Sequence, residues 1–329
     1  MPRRRERNGI RLFFAADLHG SQPAWRKFVN AAAFYEVDAL VFGGDLMGKA
    51  LVPIVRRNGT MHAELHGRAH TLDSRSAMEE FTRLVEVNGL YWRVIDADEH
   101  ERLGADALLV EGLVQELARE RLHQWMEFAE DRLRGTPVRV FLTGGNDDAP
   151  AVLDVLDEAD GERIVASEGR VVELDDVHTM ITVGLSTATP WDTAREASEE
   201  EIRSAIDTSA AQVRDLTRSV FNLHCPPKDT LIDRCLKLRR EAPGELPRPV
   251  REGGRFVTTG GGSVAVREAI REYQPLVALH GHIHESPGRV RIGRTPCFNP
   301  GSQYGEGRLE GVIAELSDAR LGAYQHTSG

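Results

Sequence analysis

The sequence predicts an α/β fold with a substantial antiparallel part. Near the start, an apolar run at 10–16, an amphipathic stretch at 22–35 and a second apolar run at 39–42 form a β-α-β pattern. That pattern is typical of neighbouring parallel strands. The second half of the chain holds many short apolar runs separated by turn residues, which is typical of strands in a mixed or antiparallel sheet.

Local signals justify the opening elements. The run at 10–16 is a strand, although it follows a basic start at 1–7, because it is short, contains Arg11 and is unlike a signal peptide. The helix at 22–35 has Ser21 as its expected N-cap and apolar residues at helical spacing, among them Trp25 and Phe28. The run at 39–42 is a buried strand.

A long interval, residues 50–133, separates this opening from the next core strand at 138–143. Within it, Asn58-Gly59 lies between two strand-like runs and is a strong hairpin signal. The expected elements are strands at 51–55 and 60–65 and helices at 74–87 and 107–133. We interpret the interval as an inserted hairpin-plus-helices cap; the alternative is that it packs on the flank of the core.

The second half completes a single domain over 1–329. Its expected elements are strands at 163–165, 170–174, 179–185, 219–224, 276–280, 289–292, 296–298, 311–316 and 319–324, and helices from near Pro150, at 198–217 and at 263–272. Ser263 is the expected N-cap of the last helix. Residues 228–262 are polar and rich in Gly, Pro and Arg, which indicates a flexible loop or lid.

Composition restricts the function classes. The net charge of −10 opposes non-specific binding to nucleic acid or to an anionic membrane. No apolar run is long enough to cross a bilayer, so no membrane partner is expected. The three cysteines, Cys225, Cys235 and Cys297, form no even framework, which favours a reducing cytoplasm. Oligomeric state has no signal in the sequence.

Five polar fragments each follow an apolar, strand-like run, and we interpret them as one site. They are Asp17-Leu18-His19, Gly44-Asp45, Gly145-Asn146-Asp147-Asp148, His224 and Gly281-His282-Ile283-His284. Taken singly, Asp17 and Asp45 could cap turns, and Asn146 could be a turn residue with positive φ. Together, their nitrogen and hard oxygen donors suit two borderline divalent transition metals better than calcium or magnesium. Two such ions can polarise a phosphoryl group and generate a hydroxide nucleophile.

The order of these motifs, D-x-H, G-D, G-N-x-D, H and G-H-x-H, resembles that of the calcineurin-like metallophosphoesterase superfamily, and in particular of Icc-related predicted phosphoesterases. The resemblance covers most of the chain except about 50–133. It includes Asn299-Pro300-Gly301-Ser302 and the runs at 48–55 and 265–270. It implies a four-layer α/β/β/α sandwich of the metallophosphoesterase type. It also implies a dinuclear metal-dependent phosphoesterase that cleaves phosphodiesters or phosphomonoesters with a metal-bridging hydroxide.

The resemblance implies a role for each site residue. Asp17, His19 and His284 hold the first metal, Asn146, His224 and His282 hold the second, and Asp45 bridges both. Asp45, Asn146 and Asp147 are the implied catalytic residues, and Asn146 and His224 the implied contacts to substrate. The implied cofactors are two divalent ions, with manganese, iron or zinc favoured, and the implied substrate is a small anionic phosphoester.

Asp147 departs from the family pattern, because many members have a histidine there. As a general acid, Asp147 would need a pKa raised towards neutrality. Two nearby dications favour its anion instead, so we expect Asp147 to stay ionised and the enzyme to prefer good leaving groups. The alternative role is structural hydrogen bonding. Asp148 is expected to cap the helix that begins near Pro150.

The polar segment at 228–262 and the glycines before Ser263 each allow a functional and a structural interpretation. The basic residues of 228–262 are either an electrostatic collar for the substrate or a solvated loop: Lys228, Arg234, Lys237, Arg239, Arg240, Arg248, Arg251 and Arg255. Gly260-Gly261-Gly262-Ser263 could seat a phosphate on free amides or act as a hinge. We interpret His62, His66 and His70 as structural or exposed rather than as a third metal site, and Cys225 as a small buried apolar residue.

Two alternative functions use the same scaffold. One is a non-catalytic interaction module in which the metals are idle. The other is a nuclease, which the net charge of −10 and the lack of a basic-aromatic stripe disfavour.

Overall fold

Two six-stranded mixed sheets carry most of the fold. The computed structural model describes residues 9–242 and 245–329, so the basic start and residues 243–244 of the polar segment lie outside the described residues. The strands, in chain order, are β1 (Ile10–Ala15), β2 (Ala39–Phe42), β3 (Leu51–Arg57), β4 (Thr60–Leu65), β5 (Arg68–Leu72), β6 (Tyr91–Ile95), β7 (Arg139–Leu142), β8 (Ile164–Ala166), β9 (Val171–Glu173), β10 (Thr179–Val183), β11 (Ser219–Leu223), β12 (Arg234–Leu236), β13 (Leu238–Arg239), β14 (Arg248–Pro249), β15 (Arg251–Glu252), β16 (Arg255–Phe256), β17 (Thr258–Gly260), β18 (Val277–Leu279), β19 (Gly288–Ile292), β20 (Thr295–Asn299), β21 (Glu310–Ser317) and β22 (Arg320–Ser328). The helices are α1 (Gln22–Phe34), α2 (Arg75–Val87), α3 (Ala97–Ala105), α4 (Ala107–Leu133), α5 (Pro150–Glu158), α6 (Glu199–Ala210) and α7 (Val264–Tyr273).

Each large sheet has a parallel centre. The first sheet has the order β22-β21-β1-β2-β7-β8, and the second has the order β19-β20-β18-β11-β10-β9. In the first sheet, β1, β2, β7 and β8 are parallel, while β21 and β22 are antiparallel additions. In the second, β10, β11, β18 and β20 are parallel, while β9 and β19 are antiparallel additions. The predicted α/β fold with a substantial antiparallel part is therefore confirmed.

Alternating side chains divide the core into layers. On β1, Phe13 belongs to an apolar cluster with α1, α4 and α5, whereas Phe14 belongs to a cluster shared with the second sheet. On β11, Val220 faces the first sheet, and Phe221 belongs to a cluster with α6 and α7. One apolar cluster is therefore shared by residues of both sheets, and each sheet also contributes to a second cluster with its own helices.

Helix α4 joins the helices of the first sheet through its second half. The rings of Trp125 and Trp25 on α1 stack with centroids 4.8 Å apart, and Trp25 Nε1 donates to the Trp125 carbonyl oxygen at 3.2 Å. Both side chains are buried. The rest of α4 carries many charged residues. Among the described residues, no helix is both long and apolar enough to span a membrane.

The insertion forms a small sheet of its own with the order β5-β4-β3-β6. The predicted hairpin is present: β3 pairs antiparallel with β4, and Asn58 and Gly59 have positive φ at its turn. Helix α2 packs Phe81 and Val85 against this sheet. Strands β5 and β6 and helix α3 lack a clear periodic signal, and the sequence did not predict them. The parallel pairing of β3 with β6 brings the chain back to the core edge.

The polar segment 228–262 is paired rather than irregular in its described part. Strand β12 pairs with β17, β13 with β14, and β15 with β16. Most of its residues are exposed, so no alternation of apolar and polar residues marks these strands in the sequence.

Candidate metal centre

The ends of five strands bring the sequence-predicted donors to one place. Asp17 and His19 follow β1, Asp45 follows β2, Asn146 follows β7, His224 follows β11, and His282 and His284 follow β18. The first three strands belong to one large sheet and the last two to the other. The site therefore lies where the carboxyl ends of both parallel centres meet.

Three overlapping groups of side chains have all their ligand atoms within 4.8 Å of one another. The first is Asp17, His19 and His284, the second is Asp45, His224 and His282, and the third, His19, Asp45 and Asp147, combines a member of each with Asp147. In the first, the Nε2 atoms of His19 and His284 are 3.1 Å apart, and His284 Nε2 is 3.6 Å from Asp17 Oδ1. Two ring nitrogens facing each other beside a carboxylate are a donor set that fits a transition-metal ion.

Asp45 links the first two groups. Its Oδ2 lies 3.7 Å from His19 Nε2 and 3.4 Å from His224 Nε2. Its Oδ1 accepts the backbone N–H of Asp147 at 2.9 Å. One carboxylate therefore reaches both groups from a position that is only 2% exposed.

Asn146 completes the second group. Its Oδ1 lies 2.7 Å from His282 Nδ1 and 3.0 Å from His224 Nε2. Its Nδ2 donates to Thr193 Oγ1 at 2.9 Å, and Glu196 in turn accepts both the N–H and the hydroxyl of Thr193 at 2.9 Å. Asn146 Nδ2 also donates to Asp147 Oδ1 at 3.0 Å. These bonds direct the amide oxygen towards the histidines, and no sequence signal marks Thr193 or Glu196.

The backbone of the donors is unusual. Asp17, His19, Asp45 and His282 all have positive φ, between 43° and 67°. Such conformations cost about 1–3 kcal/mol each in a non-glycine residue and concentrate at functional sites. Asn146, the residue for which positive φ was considered, does not have one.

Glycine allows these loops to approach each other. A Cβ at Gly145 would lie 2.1 Å from Asp45 Oδ1, and one at Gly281 would lie 2.6 Å from Asp17 Oδ2. Side chains at these positions would displace the carboxylates. The glycines of the G-N and G-H motifs are therefore explained by close packing.

Hydrogen bonds behind the donors fix their orientation. The Asp17 carboxylate accepts the backbone N–H of His282 at 2.9 and 3.1 Å, and Ser302 Oγ donates to the Asp17 carbonyl oxygen at 2.6 Å. His224 Nδ1 lies 2.8 Å from the Gly43 carbonyl oxygen, which leaves Nε2 facing Asp45 and Asn146. Asn299 donates to the Ile283 carbonyl oxygen at 2.8 Å, so the Asn-Pro-Gly-Ser segment supports both metal-site loops.

Burial and charge separate the pKa values of the site. Burial would raise the pKa of Asp45, but His224 and His19 outweigh it and hold that pKa well below its usual range. Burial lowers the pKa of His19 to about 3 and that of His282 to about 4. Burial would also lower the pKa of His224, but Asp45 and Asp17 raise it to about 9. Each group thus holds one imidazole that the protein keeps neutral, the form that binds metal.

Asp147 lies beside the donors and pairs with Lys49. Asp147 Oδ2 contacts Lys49 Nζ and lies 3.4 Å from His19 Nδ1. Burial and the charge of Asp45 raise the pKa of Asp147 to about 7, although Lys49 opposes them. The protein groups thus raise the pKa that nearby dications would lower.

Asp148 does not cap α5, contrary to the prediction. The N-cap of α5 is Ala149, which has no side-chain bond, and Pro150 begins the helix. The carboxylate of Asp148 instead accepts the backbone N–H groups of Leu46, Met47 and Gly145 at 2.8–2.9 Å. These amides follow Asp45 and precede Asn146, so Asp148 joins the two loops that carry these donors.

The amides before α7 are not free: Gly261 and Ser263 donate to the carbonyl oxygens of Asp233 and Pro226 at 2.8 and 2.9 Å, and Gly262 donates to Asp233 Oδ2 at 3.3 Å. The phosphate-seat interpretation is therefore wrong. Glu199 of α6 accepts the N–H groups of Val264 and Ala265, both at 2.9 Å, and the hydroxyl of Ser263 at 2.5 Å. An anion of the protein itself therefore occupies this helix N-terminus. Ser263 is the N-cap of α7, as predicted.

The remaining candidates lie outside the donor groups. His62 and His70 lie on β4 and β5, and His66 lies in the turn between them. Cys225 is fully buried in an apolar cluster, as predicted. Of the basic residues in the polar segment, Arg240 forms an ion pair at 2.6 Å with the exposed Asp192, the neighbour of Thr193 in the chain.

Two further contacts to the loop of His19 have no signal in the sequence. The ring of Tyr304 lies 4.7 Å from that of His19 and 5.9 Å from that of His284. The insertion reaches the same loop, because a Cβ at Gly89 would lie 1.9 Å from the His19 carbonyl oxygen. Arg121 donates to the carbonyl oxygens of Gly20 and Leu90, both at 3.0 Å, and ties that loop to the insertion.

Comparison with known proteins supports the fold. No protein-family model matches the chain, and no curated protein matches it. The crystal structure of TT1561 of Thermus thermophilus is similar with a TM-score of 0.53 and 12% identity, over 98% of each chain. A further crystal structure is similar with a TM-score of 0.54 and 15% identity, over 96% of this chain and 98% of the other. These likenesses show a shared fold.

A third structure belongs to a novel archaeal phosphodiesterase, with a TM-score of 0.35 and 11% identity over 97% of this chain and 100% of the other. A likeness at that TM-score carries no argument about this chain.

Proposed function

We propose that this protein is a dinuclear metal-dependent phosphoesterase that hydrolyses phosphodiester or phosphomonoester bonds. One observation carries the proposal: two largely buried groups of donors, Asp17-His19-His284 and Asp45-His224-His282, meet at one end of the sheets, and Asp45 of the second group also reaches His19 of the first. Two divalent ions, with manganese, iron or zinc favoured by the donor types, would polarise the phosphoryl group and supply a hydroxide nucleophile when bound.

The residues of the site would have different roles. Asp45 would serve both ions, and Asn146 would join the second group through Oδ1, because Thr193 engages its Nδ2. Both ring nitrogens of His224 face protein acceptors or donors, which supports a role in holding metal rather than in contacting substrate. Asp147 and Lys49 lie beside the site, where they could orient a phosphate or handle the leaving group's proton.

We further propose the four-layer α/β/β/α sandwich of the metallophosphoesterase type and a single domain over 1–329. The apolar cluster shared by both sheets, and the second cluster that each sheet forms with its own helices, support it. The insertion at about 50–133 would act as a cap that selects a small anionic phosphoester, and its contacts at Gly89 and Arg121 beside the His19 loop support that role. The three free cysteines fit the expected cytoplasmic location.

The test is a panel of phosphoesters assayed with each metal. Aryl and alkyl phosphodiesters and monoesters are offered to protein loaded with manganese, iron or zinc, and bound metal is measured by elemental analysis. We expect close to two ions per chain and turnover that chelator abolishes. Full metal loading without turnover of any ester would instead support the idle interaction module.

The same panel examines Asp147. If it stays ionised beside bound metal, esters of acidic phenols react well and alkyl esters poorly, and Asp147→His improves alkyl esters more. General acid catalysis contributes about 10²–10⁴-fold, so a partial rescue is measurable. A collapse of alkyl turnover alone in Asp147→Ala would identify Asp147 as the acid. Steeply salt-dependent DNA binding would favour a nuclease.

A further inference from the structure

A cleft of about 550 Å³ lies between the open edges of the two large sheets. Strand β19 is the edge of one sheet and β22 the edge of the other, and residues of both line the cleft. Four arginines line it: Arg289, Arg291, Arg294 and Arg320. All of the metal-site donors are among the described residues, and none of them lines this cleft.

The side-chain directions explain how arginines come to line this cleft. On β19, Val290 and Ile292 pack against the apolar cluster of α7, so Arg289 and Arg291 lie on the opposite face, towards the first sheet. The guanidinium of Arg289 lies 4.7 Å from the ring centroid of Tyr324 on β22. The arginines thus occupy inward-facing positions that apolar side chains fill nearer the centre of the sandwich.

Carboxylates compensate the positive charge of the cleft only weakly: Arg294 contributes to the lowered pKa of Asp215, after the bonds of Asp215 to Thr217 and the charge of Arg218, but lies beyond ion-pair distance from it in the described part of the chain. In the described part of the chain, the side chains of Arg291 and Arg294 bond only backbone carbonyl oxygens, those of Arg294 and Gln274. The two aspartates beside the cleft, Asp215 and Asp318, pair with Arg218 at 3.6 and 2.6 Å. Within the described ranges 9–242 and 245–329, none of the four lining arginines forms an ion pair. Such a concentration of positive charge is unexpected in a chain of net charge −10.

We propose that this cleft binds a small molecule that carries two or more linked phosphate groups. Guanidinium groups bind phosphate oxygens in bidentate fashion, and several converging on one cleft suit a compact multiple anion. The volume lies in the range of small-molecule sites, roughly 300–1,000 Å³. An extended nucleic acid fits less well, because the chain as a whole carries a net charge of −10, which opposes binding of a long polyanion.

Protection of sheet edges is the main alternative. Inward-pointing charges on an edge strand prevent pairing with another chain, and lysine serves that purpose. Here the charges are all arginine, and they come from β19, from the turn after it and from the start of β22. Edge protection does not require arginines from three segments to converge on one cleft, whereas a polyphosphate site does.

The test is calorimetric titration of the full chain with inorganic tripolyphosphate in the presence of a chelator. The chelator removes binding through metal, so failure here leaves the phosphoesterase proposal untouched. We expect one site, weakened at least tenfold by higher salt, and orthophosphate binding at least tenfold more weakly than tripolyphosphate. ATP is titrated in parallel; tighter binding than tripolyphosphate would identify a nucleotide as the source of the phosphates, and equal binding a free oligophosphate.

The variant Arg291→Glu/Arg320→Glu should weaken tripolyphosphate at least about thirtyfold, since it reverses two charges. The matched control is Arg68→Glu/Arg83→Glu, which reverses two exposed arginines of the insertion, and it should change affinity less than about twofold. Thermal unfolding checks that both variants fold, and Arg291→Lys/Arg320→Lys replaces the first if it does not. No binding at millimolar tripolyphosphate, an equal loss in the control, or tighter binding of a DNA duplex through the same arginines would overturn the proposal.

Discussion

Lys49 forms an ion pair with Asp147 at the rim of the donor cluster. The side chain of Lys49 is 47% exposed and that of Asp147 only 9%, so the pair connects solvent with the buried site. Through Asp147, this cation also stands near His19, whose Nδ1 is 3.4 Å from the same carboxylate oxygen. An anionic substrate that approaches the metals would pass this cation.

Lys49→Met should therefore raise KM for a phosphoester about tenfold or more, since one charge-assisted hydrogen bond to phosphate is lost. Metal content should not change, because Lys49 supplies no metal-ligating atom to either of the two groups. Steady-state kinetics and elemental analysis measure both quantities. Lys49→Arg keeps the charge and should retain most of the affinity; an unaltered KM in Lys49→Met would remove Lys49 from the site.

Asp45→Asn should reduce turnover at least about a hundredfold, the scale of removing a major electrostatic contribution. Bound metal should also fall, because one carboxylate reaches both groups. Asp233→Asn is the matched control: Asp233 is 1% exposed, and its carboxylate accepts, among the described residues, only backbone N–H groups, those of Asp229, Thr230 and Gly262. It should lose stability yet keep its metal, and equal metal loss in both variants would argue against a special role for Asp45.

Thr193→Val should weaken metal binding about 10–100-fold at the group that contains Asn146. The valine is similar in shape but cannot accept the Asn146 Nδ2–H, so the amide keeps only its bond to Asp147 Oδ1 and its oxygen is less firmly directed to His224 and His282. Metal titration with a competing chelator gives the affinity. Thr193→Ser should restore it, and unchanged affinity in Thr193→Val would mean that Asn146 is oriented by other contacts.

The sequence predicted the donors because each follows a strand that local patterns reveal. Asp17, Asp45 and Asn146 come directly after short apolar runs, and the ends of parallel strands meet at one edge. Thr193 and Lys49 have no such signal. Thr193 meets Asn146 across a separation of 47 residues, in a segment without regular structure.

The failures have a common cause. Asp148 has the sequence position of a helix cap, yet its carboxylate accepts hydrogen bonds from three backbone amides in two loops. The glycines before Ser263 resemble an anion site, yet Glu199 already occupies it from 64 residues away. Local patterns identify groups that need a partner, whereas tertiary packing decides which partner they receive.

The insertion should influence the metal site through Gly89. Gly89→Ala should destabilise the protein by about 1–3 kcal/mol more than Gly67→Ala. Both glycines have a φ of 73°, so both variants suffer the left-handed strain of about 1–2 kcal/mol. Only at Gly89 would the new Cβ meet backbone, at 1.9 Å from the His19 carbonyl oxygen; at Gly67 nothing lies within 4 Å.

Urea unfolding measures the two costs, and metal titration measures the coupling. Gly89→Ala should also weaken metal binding, because the clash displaces the backbone of His19. Equal destabilisation of the two variants would show that the insertion does not press on the loop of His19.

Glu199 should stabilise the fold in a pH-dependent manner. Its carboxylate binds Ser263, Val264 and Ala265 at the start of α7, where an anion also meets the positive end of the helix dipole. We expect Glu199→Ala to lower the free energy of unfolding by about 1–2 kcal/mol at pH 7, as for loss of a helix cap. Glu200→Ala is the control, because Glu200 is exposed and is the neighbouring acidic residue in the first turn of α6.

The direction with pH follows from the pKa. Burial would raise the pKa of Glu199, but its bonds to Ser263, Ala265 and Val264 outweigh it and lower the pKa from its usual 4.5. Well above that value the carboxylate is charged in both the folded and unfolded states, and its stabilisation is constant there. As the pH falls below 4.5, the unfolded state takes up a proton first and the stabilisation declines. Urea unfolding at pH 7, 5 and 4 should show the difference between wild type and Glu199→Ala shrinking at the lowest pH. A difference that stays constant down to pH 4 would mean that the side chain stabilises α7 by packing rather than by charge.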